Sequence, residues 1–215
     1  RRPGAAPRGR GAPRRLPSPS VPAIQVSAGE AAGQRTPRWV LAGLAAAFLA
    51  ASLAIFAPAL PGPFVSDDNL YIALNPYVRT GSLADVRAVL DPRSDATLMV
   101  ANWAPVHLLS HMLQWRLFGP NVRAFHLTNA VLHAGVSLLL VALLRRSRVP
   151  PLAAALGGAL FLVHPANVEA VAWISQLKTL LAAGFLFLAL LLWERRPAPA
   201  TLAFVLALFS KALAA

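Results

Sequence analysis

The sequence predicts an all-α polytopic membrane protein with a disordered basic tail and a large first extracytoplasmic loop. Three observations lead to this class. Of the 215 residues, 57% are hydrophobic and only 13% are charged, a composition too apolar for an ordinary soluble domain. Several apolar stretches have the length that a membrane helix needs. The net charge of +12 comes mostly from arginines placed before or after those stretches.

The N-terminal segment, residues 1–38, contains eight arginines and one glutamate among Pro, Gly, Ala and Ser. It has few large apolar side chains to bury, so we expect a disordered cytoplasmic tail. One interpretation is an arm that contacts anionic lipid headgroups. The other is a solvated tail that only sets the topology.

The apolar stretches predict five membrane helices. The first lacks charged residues and, at about 1.5 Å rise per residue, is long enough for a hydrocarbon core of about 30 Å. It also exceeds the apolar core of a signal peptide, about 7 to 15 residues, which favours an uncleaved anchor. The predicted spans are 39–60, 125–144, 150–163, 179–193 and 201–215, the last being the start of a helix that continues.

The connecting segments set the orientation. Of the 20 basic residues, 13 lie in the tail and in the clusters at 145–148 and 195–196, which the positive-inside rule places in the cytoplasm. The predicted loops are 61–124 outside, 145–149 inside, 164–178 outside and 194–200 inside. Membrane lipid is therefore an expected partner and nucleic acid is not. The absence of cysteine excludes disulfides and thiolate sites.

Asp67 and Asp68 are adjacent in the first loop, within FVSDDNLYIALNP at 64–76. The chain has only eight acidic residues, and ionisable groups near hydrocarbon are costly and usually mark a site. We expect this pair to be the chemical centre.

The same loop predicts an amphipathic helix that begins at Pro105 and lies in the membrane interface. His107 and His111 are four residues apart and share a face, so they either bind a metal ion or form a polar surface towards headgroups or substrate. A second short helix is predicted at 81–90. The apolar side of the first helix is expected to carry Leu108, Leu109, Met112, Leu113 and Leu117.

The second span carries a polar stripe of His126, Asn129, His133 and Ser137 at helical spacing. Such a stripe is expensive in lipid, so it is expected to face the bundle or a wet cavity. Lining a substrate cavity and making interhelical hydrogen bonds, worth about 0.6 kcal/mol each, are both open interpretations.

The third span is short and ends at His164-Pro165, which indicates a break covered by protein or water. Glu169 and Lys178 follow on the outer side. They are either ligands for phosphate and sugar or an internal ion pair.

Four stretches resemble one family when they are taken in order. They are FVSDDNLYIALNP, NWAPVHLLSHMLQWRLFG, FHLTNAVLHA and FLVHPANVEAVAWISQLKTLLA. Residues 64–211 are similar to the N-terminal part of bacterial membrane proteins with tetratricopeptide repeats. That group is related to protein O-mannosyltransferases, in the GT-C glycosyltransferase superfamily. The resemblance implies a GT-C-like helix bundle in the bacterial inner membrane, and an N-terminal fragment that is inactive alone.

The resemblance also implies an activity, the transfer of a sugar from a polyprenyl-phosphate donor to Ser or Thr hydroxyls of an acceptor protein outside the cytoplasm. Asp67 is then the general base and Asp68 orients a substrate or backbone group; alternatively the pair holds a divalent cation, the only cofactor considered. Cationic candidates for the donor phosphate are Arg116, Lys178 and Lys211. Other interpretations are a non-catalytic anchor for a tetratricopeptide-repeat domain and a transporter.

Overall fold

The computed structural model describes residues 37–211, and within that range the chain forms ten α-helices and no strands. The predicted all-α membrane class is confirmed. Most of the predicted tail and the last four residues of the predicted fifth span lie outside the described residues. The helices are α1 (Arg38–Phe56), α2 (Pro76–Thr80), α3 (Leu83–Leu90), α4 (Asp95–Val100), α5 (Pro105–Phe118), α6 (Val122–Arg146), α7 (Pro151–Val163), α8 (Val168–Ala172), α9 (Leu177–Leu192) and α10 (Pro197–Ser210).

Three helical segments are long and apolar enough to cross a membrane, namely Arg38–Ala59, Val122–Arg146 and Ile174–Leu192. A fourth crossing is possible if Pro151–Val163 and Pro165–Ala172, which are bent by 52°, act as one broken span. Helix α10 is apolar but shorter. These lengths match a hydrocarbon core of about 30 Å, and the chain is a membrane protein.

Local sequence explains where the helices begin and end. Helices α5, α7 and α10 each start with proline, whose fixed φ suits a first turn. Ser82 and Asp85 form a reciprocal capping box at the start of α3. Gly81 ends α2 in the left-handed region at φ 59°, a conformation that favours glycine.

Helix α6 is the centre of the bundle and packs against α1, α7 and α9. These helices approach each other closely at small residues. This is expected in a membrane, because the hydrophobic effect does not drive helices together in lipid. Ser52 Oγ of α1 donates to the carbonyl of Ala130 at 2.7 Å. Gly158 of α7 faces Val141 of α6 without room for a side chain.

The segment between α1 and α6 folds into a compact layer rather than an open loop. Its core contains Ile72, Val78, Val89 and Leu108, all at most 1% exposed, and it includes Phe125 from the first turn of α6. This shared core fixes the segment with the acid pair against the bundle.

Helix α5 is oriented differently from the expectation. Leu108 and Met112 are buried, but Leu113 and Leu117 are 58% and 63% exposed. At about 100° per residue these side chains spread over half of the helix, so they cannot share one buried side. The buried side is completed by polar residues, His107, His111 and Gln114.

Arg146 stabilises the end of the bundle that lies away from the acid pair. Its guanidinium pairs with Glu194 at 2.6 Å and donates to the carbonyl of Leu191 at 2.9 Å. This pair joins the C-terminal ends of α6 and α9.

Candidate active site

Asp67 and Asp68 have different surroundings although they are adjacent. Asp68 is 1% exposed; its Oδ2 accepts the backbone N–H of Val65 at 3.0 Å and its Oδ1 that of Ser175 at 2.7 Å. Asp67 is partly exposed, and within residues 37–211 its carboxylate accepts only a long hydrogen bond, 3.5 Å, from Ser66 Oγ. Successive side chains on a helical turn diverge by about 100°, which separates the two carboxylates.

Asp68 connects the first loop to a turn that lies 107 residues later in the chain. Burial raises the pKa of Asp68 above its usual value, while the amides of Val65 and Ser175 and the nearby His126 act in the opposite direction. An acid that accepts two amide hydrogens is held in place, so Asp68 fixes the position of its neighbour.

Lys178 lies in the first turn of α9 and, among the described residues, makes no ion pair with either aspartate. Its Nζ is 4.8 Å from the centre of the Tyr71 ring, and the charges of Asp67 and Asp68 both act on it. Tyr71 is 5% exposed and its hydroxyl accepts a hydrogen bond from Asn102 Nδ2 at 3.3 Å. Burial, and to a lesser degree the charge of Asp67, raises the pKa of Tyr71, against the hydrogen bond from Asn102.

His107 and His111 lie behind Tyr71 and are fully buried. Their Nε2 atoms are 2.8 Å apart, so one ring donates to the other, and Gln114 Nε2 is 3.4 Å from His111 Nδ1. Burial, followed by the charge of Lys178, lowers the pKa of His111 to about 3, and burial also lowers that of His107. Both imidazoles are therefore neutral near pH 7.

A metal site at the histidine pair would need a third ligand, and the described residues do not provide one. Within residues 37–211, no three His, Asp or Glu side chains are grouped as a metal site requires. The two rings instead share one hydrogen bond, His107 Nδ1 has no partner among the described residues, and both rings face the protein interior rather than headgroups.

Asn129 and His133, in the polar stripe on α6, contact backbone carbonyls outside their own helix. Asn129 Nδ2 lies 3.2 to 3.3 Å from the carbonyls of Val171, Trp173 and Ile174, where the helical backbone is interrupted. His133 donates to the carbonyl of Leu162 at 3.0 Å. These contacts are interhelical and satisfy backbone groups freed by the break.

His126 is the member of the stripe that faces the acid pair. It is 6% exposed, both ring nitrogens lack a hydrogen-bond partner among the described residues, and it lies near Asp68. A buried imidazole without a partner is costly, so this position has capacity for a further polar contact.

The other candidates are placed further from Asp67. Arg116 is exposed and, nine residues after His107, lies on the opposite side of α5. His164 is exposed and accepts the N–H of Ala166 at 3.1 Å. The last two candidates, Lys211 and Glu169, are joined by a chain of hydrogen bonds. It runs from Lys211 to Thr179, Gln176 and Glu169, with distances of 2.9, 2.9 and 3.2 Å. The alternative ion pair between Glu169 and Lys178 does not form among the described residues.

The structure thus brings six of the predicted residues together: Asp67, Asp68, His107, His111, His126 and Lys178. Sequence reasoning missed Tyr71, Asn102 and the Ser175 amide. Tyr71 lies four residues after Asp67, a spacing that places both on one helical face, so it was detectable. A backbone amide from a distant turn carries no side-chain signal.

Comparisons with known proteins find sequences that are similar over much of this chain. Mouse (Mus musculus) protein O-mannosyl-transferase TMTC1 is 34% identical over 177 residues, which is 78% of this chain and 18% of the mouse protein. The chain is related in sequence to such proteins. Human (Homo sapiens) protein O-mannosyl-transferase TMTC4 is 29% identical over 174 residues, 72% of this chain and 24% of the human protein. Drosophila melanogaster Tmtc1 is 35% identical over 141 residues, 61% of this chain and 16% of the fly protein.

The chain spans about a fifth of the length of these curated relatives. No family model matches it. No solved structure matches it either.

Proposed function

We propose that this chain carries the acid-pair loop of a membrane glycosyltransferase similar to protein O-mannosyltransferases. The enzyme transfers a sugar from a polyprenyl-phosphate donor to Ser or Thr hydroxyls of an acceptor protein. The carrying observation is the partly exposed carboxylate of Asp67, which has no strong hydrogen bond of its own among the described residues and whose charge acts on the ammonium of Lys178. The sequence relationship to proteins named as O-mannosyl-transferases supports the reaction class.

Asp67 acts as the general base in this proposal. As the acceptor oxygen bonds to the anomeric carbon, the bond from that carbon to the donor phosphate breaks, and the hydroxyl proton moves to Asp67. The polyprenyl phosphate leaves with the bonding electrons. A positioned base of this kind contributes about 10²- to 10⁴-fold in rate.

Lys178 is the favoured group for the donor phosphate. Negative charge accumulates on the leaving phosphate, and a fixed cation at that place stabilises the transition state. The charges of the acid pair act on Lys178, whereas Arg116 lies on the far side of α5 and Lys211 is held by Thr179. The order of preference is therefore Lys178, then Lys211, then Arg116.

The environment of Asp68 favours the base assignment over a bridging cation. Both of its oxygens already accept backbone amides, which leaves few lone pairs for a metal ion. A divalent cation held by both aspartates would compete with the contacts that anchor the loop.

We further propose a multi-pass orientation in a bacterial inner membrane, with the N-terminus in the cytoplasm. Arg145, Arg146 and Arg148 lie at one end of α6 and Arg195 and Arg196 follow α9, whereas the acid pair lies at the other end of both helices. The positive-inside rule supports an extracytoplasmic site.

Replacement of Asp67 by asparagine tests the proposal. In the full-length protein, Asp67→Asn is expected to lower transfer of labelled mannose from a polyprenyl-phosphate donor by about 10²- to 10⁴-fold. Asp95→Asn is the matched control, because Asp95 is an exposed carboxylate in the same loop segment. It is expected to leave the rate unchanged at equal expression.

Two results would contradict the assignment. Equal transfer by wild type and Asp67→Asn would remove the base from this residue. If transfer were absent from the wild type with several sugar donors, the protein would be a membrane anchor rather than an enzyme.

A further inference from the structure

Tyr71 contacts Lys178 and follows the acid pair in the chain, and the proposed reaction does not yet use it. It lies in the turn Asn69–Ala73, directly after the two aspartates. One face of its ring carries the Lys178 ammonium at 4.8 Å from the ring centre. The ring of His107 packs against it at a centroid distance of 4.9 Å.

The Tyr71 ring is held more firmly than the lysine that it contacts. It is 5% exposed, belongs to the core of the loop layer, and its hydroxyl is bound by Asn102. Lys178 has a flexible four-carbon side chain that loses rotamer freedom when it is held in one place. Within residues 37–211 it makes no ion pair with a carboxylate. The ring face is therefore its nearest fixed partner.

The surroundings strengthen the attraction between the ring and the ammonium. A cation over a tyrosine face is stabilised more strongly when water is excluded. His107 and His111 are buried and neutral near pH 7, so neither puts a second positive charge next to Lys178. The charges of Asp67 and Asp68 also act on the ammonium.

We infer that Tyr71 is a positioning residue that holds the Lys178 ammonium on its ring face, at a fixed place relative to Asp67, where a donor phosphate is bound. Tyr71 lies four residues after Asp67, in the turn Asn69–Ala73 that directly follows the acid pair, so a short helical segment sets the spacing between base and cation. The inference rests on the proposed function, because it assigns the phosphate of the sugar donor to Lys178.

Ring-free and ring-preserving variants separate positioning from general stability. In the full-length protein we would titrate polyprenyl-phosphate mannose and measure its dissociation constant, and KM and kcat for transfer. Tyr71→Leu and Tyr71→Met are expected to weaken donor binding about 3- to 30-fold, mainly through KM. Tyr71→Phe keeps the ring face and is expected to bind within about twofold of wild type. Two ring-free variants guard against a folding failure, which size-exclusion profiles and thermal midpoints would detect.

A double-mutant cycle identifies the residue through which Tyr71 acts. With Lys178→Gln as background, Tyr71→Leu is expected to have no further effect on donor binding. An equal loss in both backgrounds would overturn the inference, as would unchanged binding in the ring-free variants or an equal loss in Tyr71→Phe. A wild-type protein that binds no donor would instead refute the proposed function itself, and the inference with it.

Discussion

At the scale of single residues, the two aspartates show how position rather than type determines chemistry. Asp68 is buried. One of its oxygens accepts the amide of Val65 in the same loop, and the other accepts the amide of Ser175, 107 residues later in the chain. Asp67 is one position earlier and keeps a partly exposed carboxylate whose charge acts on Lys178. A base must reach its substrate with an available lone pair, and an anchor must not move. In the proposed function, Asp67 is the base and Asp68 is the anchor.

The buried histidine pair makes the stability of the fold depend on pH. The pKa of His111 is lowered from 6.5 to about 3, mainly by burial, and that of His107 is also lowered. Below about pH 6.5 the unfolded chain therefore binds more protons than the folded one. The stabilisation by His111 is fully present above pH 6.5 and falls by about 1.4 kcal/mol per pH unit as the pH falls towards 3, and His107 acts in the same direction.

Acidification from pH 7.5 to 5.0 is thus expected to lower the thermal midpoint of the protein in detergent. The raised pKa of Asp68 acts in the opposite direction, because its folded form binds more protons above pH 3.8. The double variant His107→Gln/His111→Gln should show a flatter pH dependence, while His164→Gln, at an exposed histidine, should not. Parallel curves for all three proteins would argue against the buried pair as the cause.

The sequence indicated candidate site residues but not the groups that they contact. The acid pair and Lys178 were detectable because charges are rare in this chain. The partner of Asp68 is the Ser175 amide, and any residue supplies an amide. His107 and His111 were correctly placed on one face, but burial of that face depends on Tyr71 and Phe125, which pack from outside α5.

At the scale of helices, the contact between α6 and α7 depends on a missing side chain. A Cβ at Gly158 would lie 2.3 Å from Val141 Cγ2 and 3.2 Å from the carbonyl oxygen of Ser137. Because Phe48 closes the third side at 3.3 Å, the helices must separate to accept a methyl group. Overpacking of this kind typically costs about 1 to 3 kcal/mol.

Gly158→Ala is therefore expected to lower the thermal midpoint and the yield of folded protein. Gly135→Ala is the matched control, since Gly135 is also in a helix of the same contact but has no neighbouring atom within 4 Å of the place that an added methyl group would take. It should be neutral or slightly stabilising, because alanine is the better helix former. A Gly158→Ala variant as stable as the control would show that α7 moves freely against α6.

The positions of the helices could be predicted from the lengths of the apolar stretches and from the prolines. Which face of each helix is buried could not be predicted in this way. The break at His164-Pro165 was predictable because proline interrupts an apolar stretch. That Asn129 would satisfy three carbonyls beyond the break was not, since the sequence alone does not bring residue 129 to residues 171–174. Helix α5 differs from the expectation for the same reason: its leucines spread over both sides, and only packing selects the side that is buried.

At the scale of the whole molecule, the bundle separates two chemically different ends. Helix α9 has 16 residues, which at about 1.5 Å rise per residue is about 24 Å, and Lys178 and the Arg146–Glu194 pair lie at its opposite ends. One end carries the acid pair with neutral imidazoles, and the other carries arginines. If the proposed membrane-embedded donor is used, the orientation decides from which side of the membrane the site is reached.

Cysteine labelling tests the orientation directly, because this chain contains no cysteine. Arg93 lies between α3 and α4 on the side of the acid pair, and Ser147 follows α6 among the arginines; both are exposed. With any cysteines elsewhere in the full-length protein replaced by serine, Arg93→Cys should react with a membrane-impermeant maleimide in intact bacterial cells. Ser147→Cys should react only after permeabilisation, which also serves as the control for reactivity. The reverse pattern would place Asp67 and Lys178 in the cytoplasm, where the acceptor and the donor phosphate would have to be supplied from the inner face of the membrane.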